Sequence, residues 1–197
     1  DLKVLQNLSN ASKSLAQGEV LQLSLTNNLD IDADKYFKVI NDKTAKLFSS
    51  AAVVGGIISN CPEKIISKLE KFGSNIGIAF QLLDDALDYE CSENNTGKNI
   101  GDDFKEGKIT LPVLLALKKA NSLEKTFWKR VIEDLDQKKN DFKKAQSLLN
   151  KYNCIGETKT IAKEYAKKAE EILKIFPQNI YNSALVDLTK FVFTRSN

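Results

Sequence analysis

The chain has 197 residues, 42% hydrophobic and 28% charged, ordinary values for one globular domain with a sizeable core. Its net charge of +3 is small, and Lys alternates with Asp and Glu along the chain, so no basic surface for nucleic acid is expected. There is no histidine, which excludes histidine triads and histidine metal sites, and no apolar run approaches the roughly 18 residues that span a bilayer.

The three cysteines, Cys61, Cys91 and Cys154, are far apart and odd in number. They fit neither a disulfide framework nor a zinc site, and they agree with a reducing, cytoplasmic setting. Methionine is absent and Asp1 opens in what reads as mid-helix, so the expectation is one domain over 1–197 that lacks its N-terminal part.

Three prolines and nine glycines punctuate a pattern of helical period. Leu2, Leu5, Leu8, Ser12, Leu15, Glu19 and Gln22 predict a helix over 2–25. Asp30 or Asp32 can cap a second one that runs to about Ile58. Pro62 suits a first helical turn and opens a long helix to about Tyr89. Residues 91–109 are irregular, and helix resumes near Thr110-Leu111-Pro112. Amphipathic segments follow at about 123–135, 141–152, 157–176 and 179–194, with breaks at Gly156 and Pro177. The fold class is all-α, one domain.

Within the 62–89 helix, Phe72, Ile76, Ala79, Leu83 and Leu87 form one stripe. Gly77, Gln81, Asp84, Asp85 and Asp88 form another, so Asp84 and Asp88 stack one turn apart with Asp85 beside them. Like charges at that spacing repel, and Asp is a poor interior helix residue. A divalent cation between the carboxylates removes the conflict, and hard oxygen ligands suit Mg²⁺. The bland alternative is an exposed acidic face, against which stand the apolar flanks Ile78-Ala79-Phe80 and Leu82-Leu83.

Just downstream lie Lys98, Lys105 and Lys108, with glycines at 97, 101 and 107. Alone these make an ordinary surface loop. Beside the carboxylates they suggest ammonium groups facing a diphosphate from the other side. Such a site suits ionisation of a C–O bond, because neutralised diphosphate is a good leaving group.

The segment Phe80-Gln-Leu-Leu-Asp-Asp-Ala-Leu-Asp88, followed by Gly97-Lys-Asn-Ile-Gly-Asp-Asp-Phe-Lys-Glu-Gly-Lys-Ile-Thr-Leu-Pro112, resembles the second aspartate-rich region of trans-isoprenyl (polyprenyl) diphosphate synthases. Gly18-Glu-Val-Leu-Gln-Leu23 and Lys43-Thr-Ala-Lys-Leu-Phe48 are similar to two further signatures of that family. Bacterial enzymes that make octaprenyl or decaprenyl diphosphate for quinone side chains are the nearest in detail.

The resemblance implies an isoprenoid-synthase helical bundle around a central cavity, usually as a homodimer. It implies condensation of an allylic diphosphate with isopentenyl diphosphate. Asp84, Asp85 and Asp88 would bind Mg²⁺, and Lys43 and Lys98 would hold the allylic diphosphate, with Lys108 in support. Gln81 and Thr44 would stabilise developing carbocation charge, and Phe80 would line the site near the isopentenyl group.

The family's first aspartate-rich motif and the arginines after it are not in these 197 residues, so this chain alone is expected to lack full activity. Cys91 stands where relatives often carry glycine. The alternatives are a non-catalytic subunit of a heteromeric synthase and a terpene cyclase of the same fold. Intact second-motif residues disfavour the first, and the Gly-Lys-Ile-Thr-Leu-Pro run disfavours the second.

Overall fold

The computed structural model describes residues 1–90 and 100–194, which are helical with no strand among them. None of the described helices is long and apolar enough to cross a membrane. Helix α1 (Leu2–Leu25) starts at Asp1, whose carboxylate accepts from the backbone N–H of Lys3 and Val4. Helix α2 (Ala33–Ile40) is capped by Asp32, which accepts from Lys35 N–H at 2.8 Å; of the two expected caps, Asp32 is the one used.

The expected second helix to Ile58 is a continuous rod with one irregularity. Between α2 and α3 (Lys46–Ile58) the residues Asn41–Ala45 make a π-helical turn. A π turn widens the helix locally and re-aims its side chains, and such turns recur at functional sites. Lys43 and Thr44 lie in it.

Helix α4 (Glu63–Leu87) follows Pro62, which takes the N-cap position. It is the structural axis, packed against α3, the π turn and the later helices. Phe72, Ile76, Ala79 and Leu83 join one apolar cluster with Ala166, Ala169 and Leu173. Leu82 and Ala86, on the other side, join the larger cluster around Trp128, Val131, Ile132 and Leu149. The apolar flanks of the aspartates are therefore core on two sides.

After Asp88 and Tyr89, the described chain resumes at Ile100 and forms a short helix, α5 (Asp102–Lys105). Helix α6 (Leu111–Lys119) has Pro112 in its first turn, while Thr110 at the N-cap makes no side-chain capping bond. The expected 123–135 segment is α7 (Ser122–Trp128) running into a second π turn, Lys129–Glu133. Helices α8 (Asp141–Lys151), α9 (Cys154–Leu173) and α10 (Ile180–Thr194) complete the bundle.

Gly156 does not break the chain as expected, since it lies inside α9. The break is at Asn153, which adopts a left-handed φ of 52°. Asn and Gly both tolerate that conformation, and here Asn takes it. From the first turn of α10, Asn182 Nδ2 donates to the carbonyls of Leu173, Phe176 and Pro177, satisfying the end of α9.

Helix α4 approaches the π turn so closely that it needs a glycine. A Cβ on Gly77 would stand 2.5 Å from Ala45 Cα and 3.0 Å from its Cβ, whereas one on Gly55, in α3, would meet nothing within 4 Å. Gly77→Ala is expected to destabilise by about 1–3 kcal/mol through overpacking, despite the roughly 1 kcal/mol helix gain from alanine. Gly55→Ala is expected to be neutral or stabilising. Urea midpoints of the two variants check this, and equal midpoints would refute the close approach.

Candidate active site

One cavity of about 590 Å³ lies beside the C-terminal half of α4. Four segments line it: the end of α1 (Gln22, Leu25), α2 with the π turn (Tyr36, Val39, Ile40, Lys43, Thr44), α4 (Gln81, Asp84, Asp85, Leu87, Asp88), and residues from Ile100 through α5 to Thr110. Of the sequence-predicted residues, Lys43, Thr44, Gln81, Asp84, Asp85, Asp88 and Lys108 come together here.

Two expectations do not fall on this wall. Phe80 is absent from the lining and packs on Phe48, with ring centroids 5.5 Å apart. Lys98, like Cys91, lies outside the described residues.

Asp85 is the most deeply buried carboxylate of the site, at 2% exposure. Its Oδ2 accepts from the Tyr36 hydroxyl at 2.5 Å and its Oδ1 from Gln81 Nε2 at 2.8 Å. When ionised, Asp85 only accepts, so the Gln81 amide then turns its Nε2 to Asp85 and its Oε1 the other way. Thr44 Oγ1 must then donate to that Oε1, at 2.8 Å. The buried charge thereby fixes the proton direction of a chain that runs from Tyr36 to Thr44.

Lys43 is placed by α1. A Cβ on Gly18 would lie 2.5 Å from Lys43 N, so the glycine lets the two backbones meet. Glu19 Oε2 and Gln22 Oε1 each contact the Lys43 ammonium at 2.6 Å. These are the Gly, Glu and Gln of the Gly18–Leu23 signature, and all three serve one lysine.

Asp88 Oδ1 and Oδ2 accept from the backbone N–H of Asp102 (3.3 Å) and Asp103 (3.1 Å). Lys108 Nζ contacts Glu106 at 2.6 Å and Asp103 at 3.4 Å.

The site is electrostatically strained toward negative charge. Burial pushes the Asp85 carboxyl up to about 7, and the nearby Asp103 charge adds to it against the Tyr36 and Gln81 hydrogen bonds. Burial, then Asp103, pushes Asp88 up to about 6. Asp103 is itself raised by burial, with Lys108 opposing. Such a wall takes a cation and its anionic partner more readily than it takes further carboxylates.

Among the described residues, no three His, Cys, Asp or Glu side chains are gathered to hold an ion by themselves. The donor set nevertheless suits Mg²⁺, which usually takes one or two carboxylates and completes its shell with water and phosphate oxygens.

Tyr36, Asp103, Glu19 and Gln22 were not singled out individually by sequence. For Glu19 and Gln22 the signal was available, since together with Gly18 they share one face of α1. For Asp103 it was available too, within the 97–112 segment and five residues from Lys108, whereas for Tyr36 there was none, because its partner Asp85 is distant in the chain.

A family model described as polyprenyl synthetase matches residues 1–149. The octaprenyl diphosphate synthase of Escherichia coli (strain K12) is 37% identical over 197 residues, covering 98% of this chain and 60% of the relative. The crystal structure of a decaprenyl diphosphate synthase from Rhodobacter capsulatus superposes with a TM-score of 0.94 at 42% identity, covering 100% of this chain and 61% of that one. A polyprenyl synthase from Caulobacter crescentus CB15, complexed with calcium and isoprenyl diphosphate, gives 0.95 at 39% identity, with 100% and 60% covered. This chain thus spans about 60% of the length of such relatives. By the family model's match over residues 1–149 and the identity to these relatives, it belongs to the polyprenyl synthetase family.

Proposed function

We propose that this chain carries the diphosphate-binding side of a trans-prenyltransferase that joins an allylic diphosphate to isopentenyl diphosphate and builds a long-chain polyprenyl diphosphate. One observation carries the reading: acidic side chains of α4 and the lysines Lys43 and Lys108 line a single cavity. The octaprenyl and decaprenyl synthases among the relatives support a long product, of the kind used for quinone side chains. They give no support to the non-catalytic-subunit alternative. A homodimer in the cytoplasm goes with the same reading.

In the reaction, the allylic C–O bond breaks and its electron pair leaves with diphosphate. The isopentenyl double bond attacks the allylic cation, and loss of a proton restores an alkene. Lys43 and Lys108 would hold the diphosphate oxygens as point charges. The Gln81–Thr44 pair, its dipoles fixed by Asp85, would present oxygen lone pairs toward cationic charge.

Bound Mg²⁺ would supply charge neutralisation of the departing diphosphate. Asp84, Asp85 and Asp88 are the carboxylates that would hold it, from one face of α4. Asp85 has both oxygens engaged by Tyr36 and Gln81, and Asp88 is bonded to backbone amides.

Three outcomes are expected. Inorganic pyrophosphate and Mg²⁺ together raise the Tm of the 197-residue chain by more than the sum of their separate shifts, because they bind as one unit, and Asp84→Ala removes the surplus. Shifts that merely add would reject bridging. In a chain that carries both aspartate-rich regions, Asp84→Ala lowers incorporation of labelled isopentenyl diphosphate at least about a hundredfold, the scale of a lost charge stabiliser. Near-normal incorporation would defeat the assignment.

The third outcome concerns pH. Without divalent cation, the folded state holds the Asp85 proton to about 7, against an ordinary 3.8. A carboxyl raised in the folded state stabilises it fully below the unfolded value and loses that stability as pH climbs through the folded one. Urea stability is therefore expected to decline between about pH 4 and 7, and Asp85→Asn to remove at least about 1 kcal/mol of that decline. An unchanged slope would show that Asp85 is not the group responsible.

A further inference from the structure

Asp88 shares the α4 face with Asp84 and Asp85, and spacing alone makes it a third cation ligand. Its contacts suggest another task. Helix α5 begins at Gly101, which has a left-handed φ of 82° and no side chain with which to cap. The first N–H groups of any helix need acceptors from outside it. Here they come from α4, since Asp88 Oδ1 and Oδ2 each take one, from Asp102 and Asp103. The Asp88 backbone carbonyl also accepts from Gly101 N–H at 3.0 Å.

Asp103 passes this attachment on to Lys108. Its carbonyl accepts the Lys108 N–H at 2.9 Å, and its carboxylate contacts Lys108 Nζ at 3.4 Å. The far side of the arm is tied separately. Phe104 is buried against Phe142, Gln137 Nε2 donates to the Phe104 carbonyl, and Asn27 N–H donates to that of Gly107. Removing Asp88 would thus release the Asp103–Lys108 side while the Phe104 side keeps the arm in place.

Resting on the functional reading above, we propose that Asp88 is a positioning residue: it caps α5 from α4 and thereby holds Lys108 at the diphosphate position across the cavity. A latch of this kind needs an acceptor oxygen. A cation ligand needs the negative charge.

The test uses the 197-residue chain. Calorimetry measures the Kd for inorganic pyrophosphate with saturating Mg²⁺ in Asp88→Ala, Asp88→Asn, Lys108→Ala and the Asp88→Ala/Lys108→Ala double variant. Each alanine change is expected to weaken binding about tenfold, as loss of a charge-assisted contact does. The double variant is expected within about threefold of either single one, because the two act as one unit. Asp88→Asn, which keeps an acceptor for one amide, is expected within about threefold of the parent. Additive losses, or an Asn variant as weak as the Ala variant, would overturn the proposal.

Hydrogen exchange reads the latch with no ligand present, so it separates this proposal from the functional one. Asp88→Ala is expected to speed exchange of the Asp102 and Asp103 amides at least about tenfold, and Asp84→Ala to leave them unchanged. Unchanged exchange in Asp88→Ala overturns the latch even if pyrophosphate binds as expected. Faster exchange without any pyrophosphate binding in the parent would uphold the capping and sink the diphosphate role of both Lys108 and the site.

Discussion

The arrangement depends on carboxylate charge held in the wall of a mostly apolar helix. Helix α4 has core on both sides of its aspartates, so Asp85 is drawn out of water by the packing that stabilises the helix. Unpaired, such a charge is costly, and it persists only where hydrogen bonds are aimed at it. Tyr36 and Gln81 supply them from two different segments. Their geometry is dictated by the charge, and the Thr44 hydroxyl is dictated by theirs. With Asp85 ionised, a polar chain of one fixed direction results, in surroundings where low dielectric strengthens each contact.

That chain needs helices in close approach, and glycine makes it possible on two sides. Gly77 lets α4 press on Ala45, next to Thr44, and Gly18 lets α1 press on Lys43. Adjacent positions on a helical turn point roughly 100° apart, so Lys43 and Thr44 meet different partners: Lys43 turns to Glu19 and Gln22, Thr44 to Gln81. Positive and negative groups thus enter one cavity from rigid elements, which is what binding a multiply charged anion in fixed orientation requires.

The helices were legible in sequence because each one buries a stripe, and stripes have a period that a single chain displays. The aspartate face was legible for the same reason, since offsets of three and four along α4 place Gln81, Asp84, Asp85 and Asp88 together. What the period cannot show is where it slips. Both π turns fall inside segments whose apolar residues recur regularly enough to read as plain helix. Asn153, not the glycine three residues on, carries the left-handed turn, because either residue type can. Phe80 is a site residue by the family resemblance, yet its ring packs on Phe48 and is absent from the cavity lining. Tyr36 stayed hidden because its role is a contact to Asp85, far along the chain, which no local pattern encodes.

Three equal carboxylates on neighbouring positions of one helix do not remain equal once the helix is packed. Charges one turn apart raise each other's protonation, so the arrangement is relieved most when each carboxylate acquires its own partner. Asp85, turned inward, takes a phenol and an amide. Asp88, at the last turn, takes the amides of a helix start whose partial positive charge suits it. Asp84, beside Asp85 in sequence, lines the same cavity. The motif is repetitive in sequence because one charged group is what every position needs, and it is divided in function because burial differs at each.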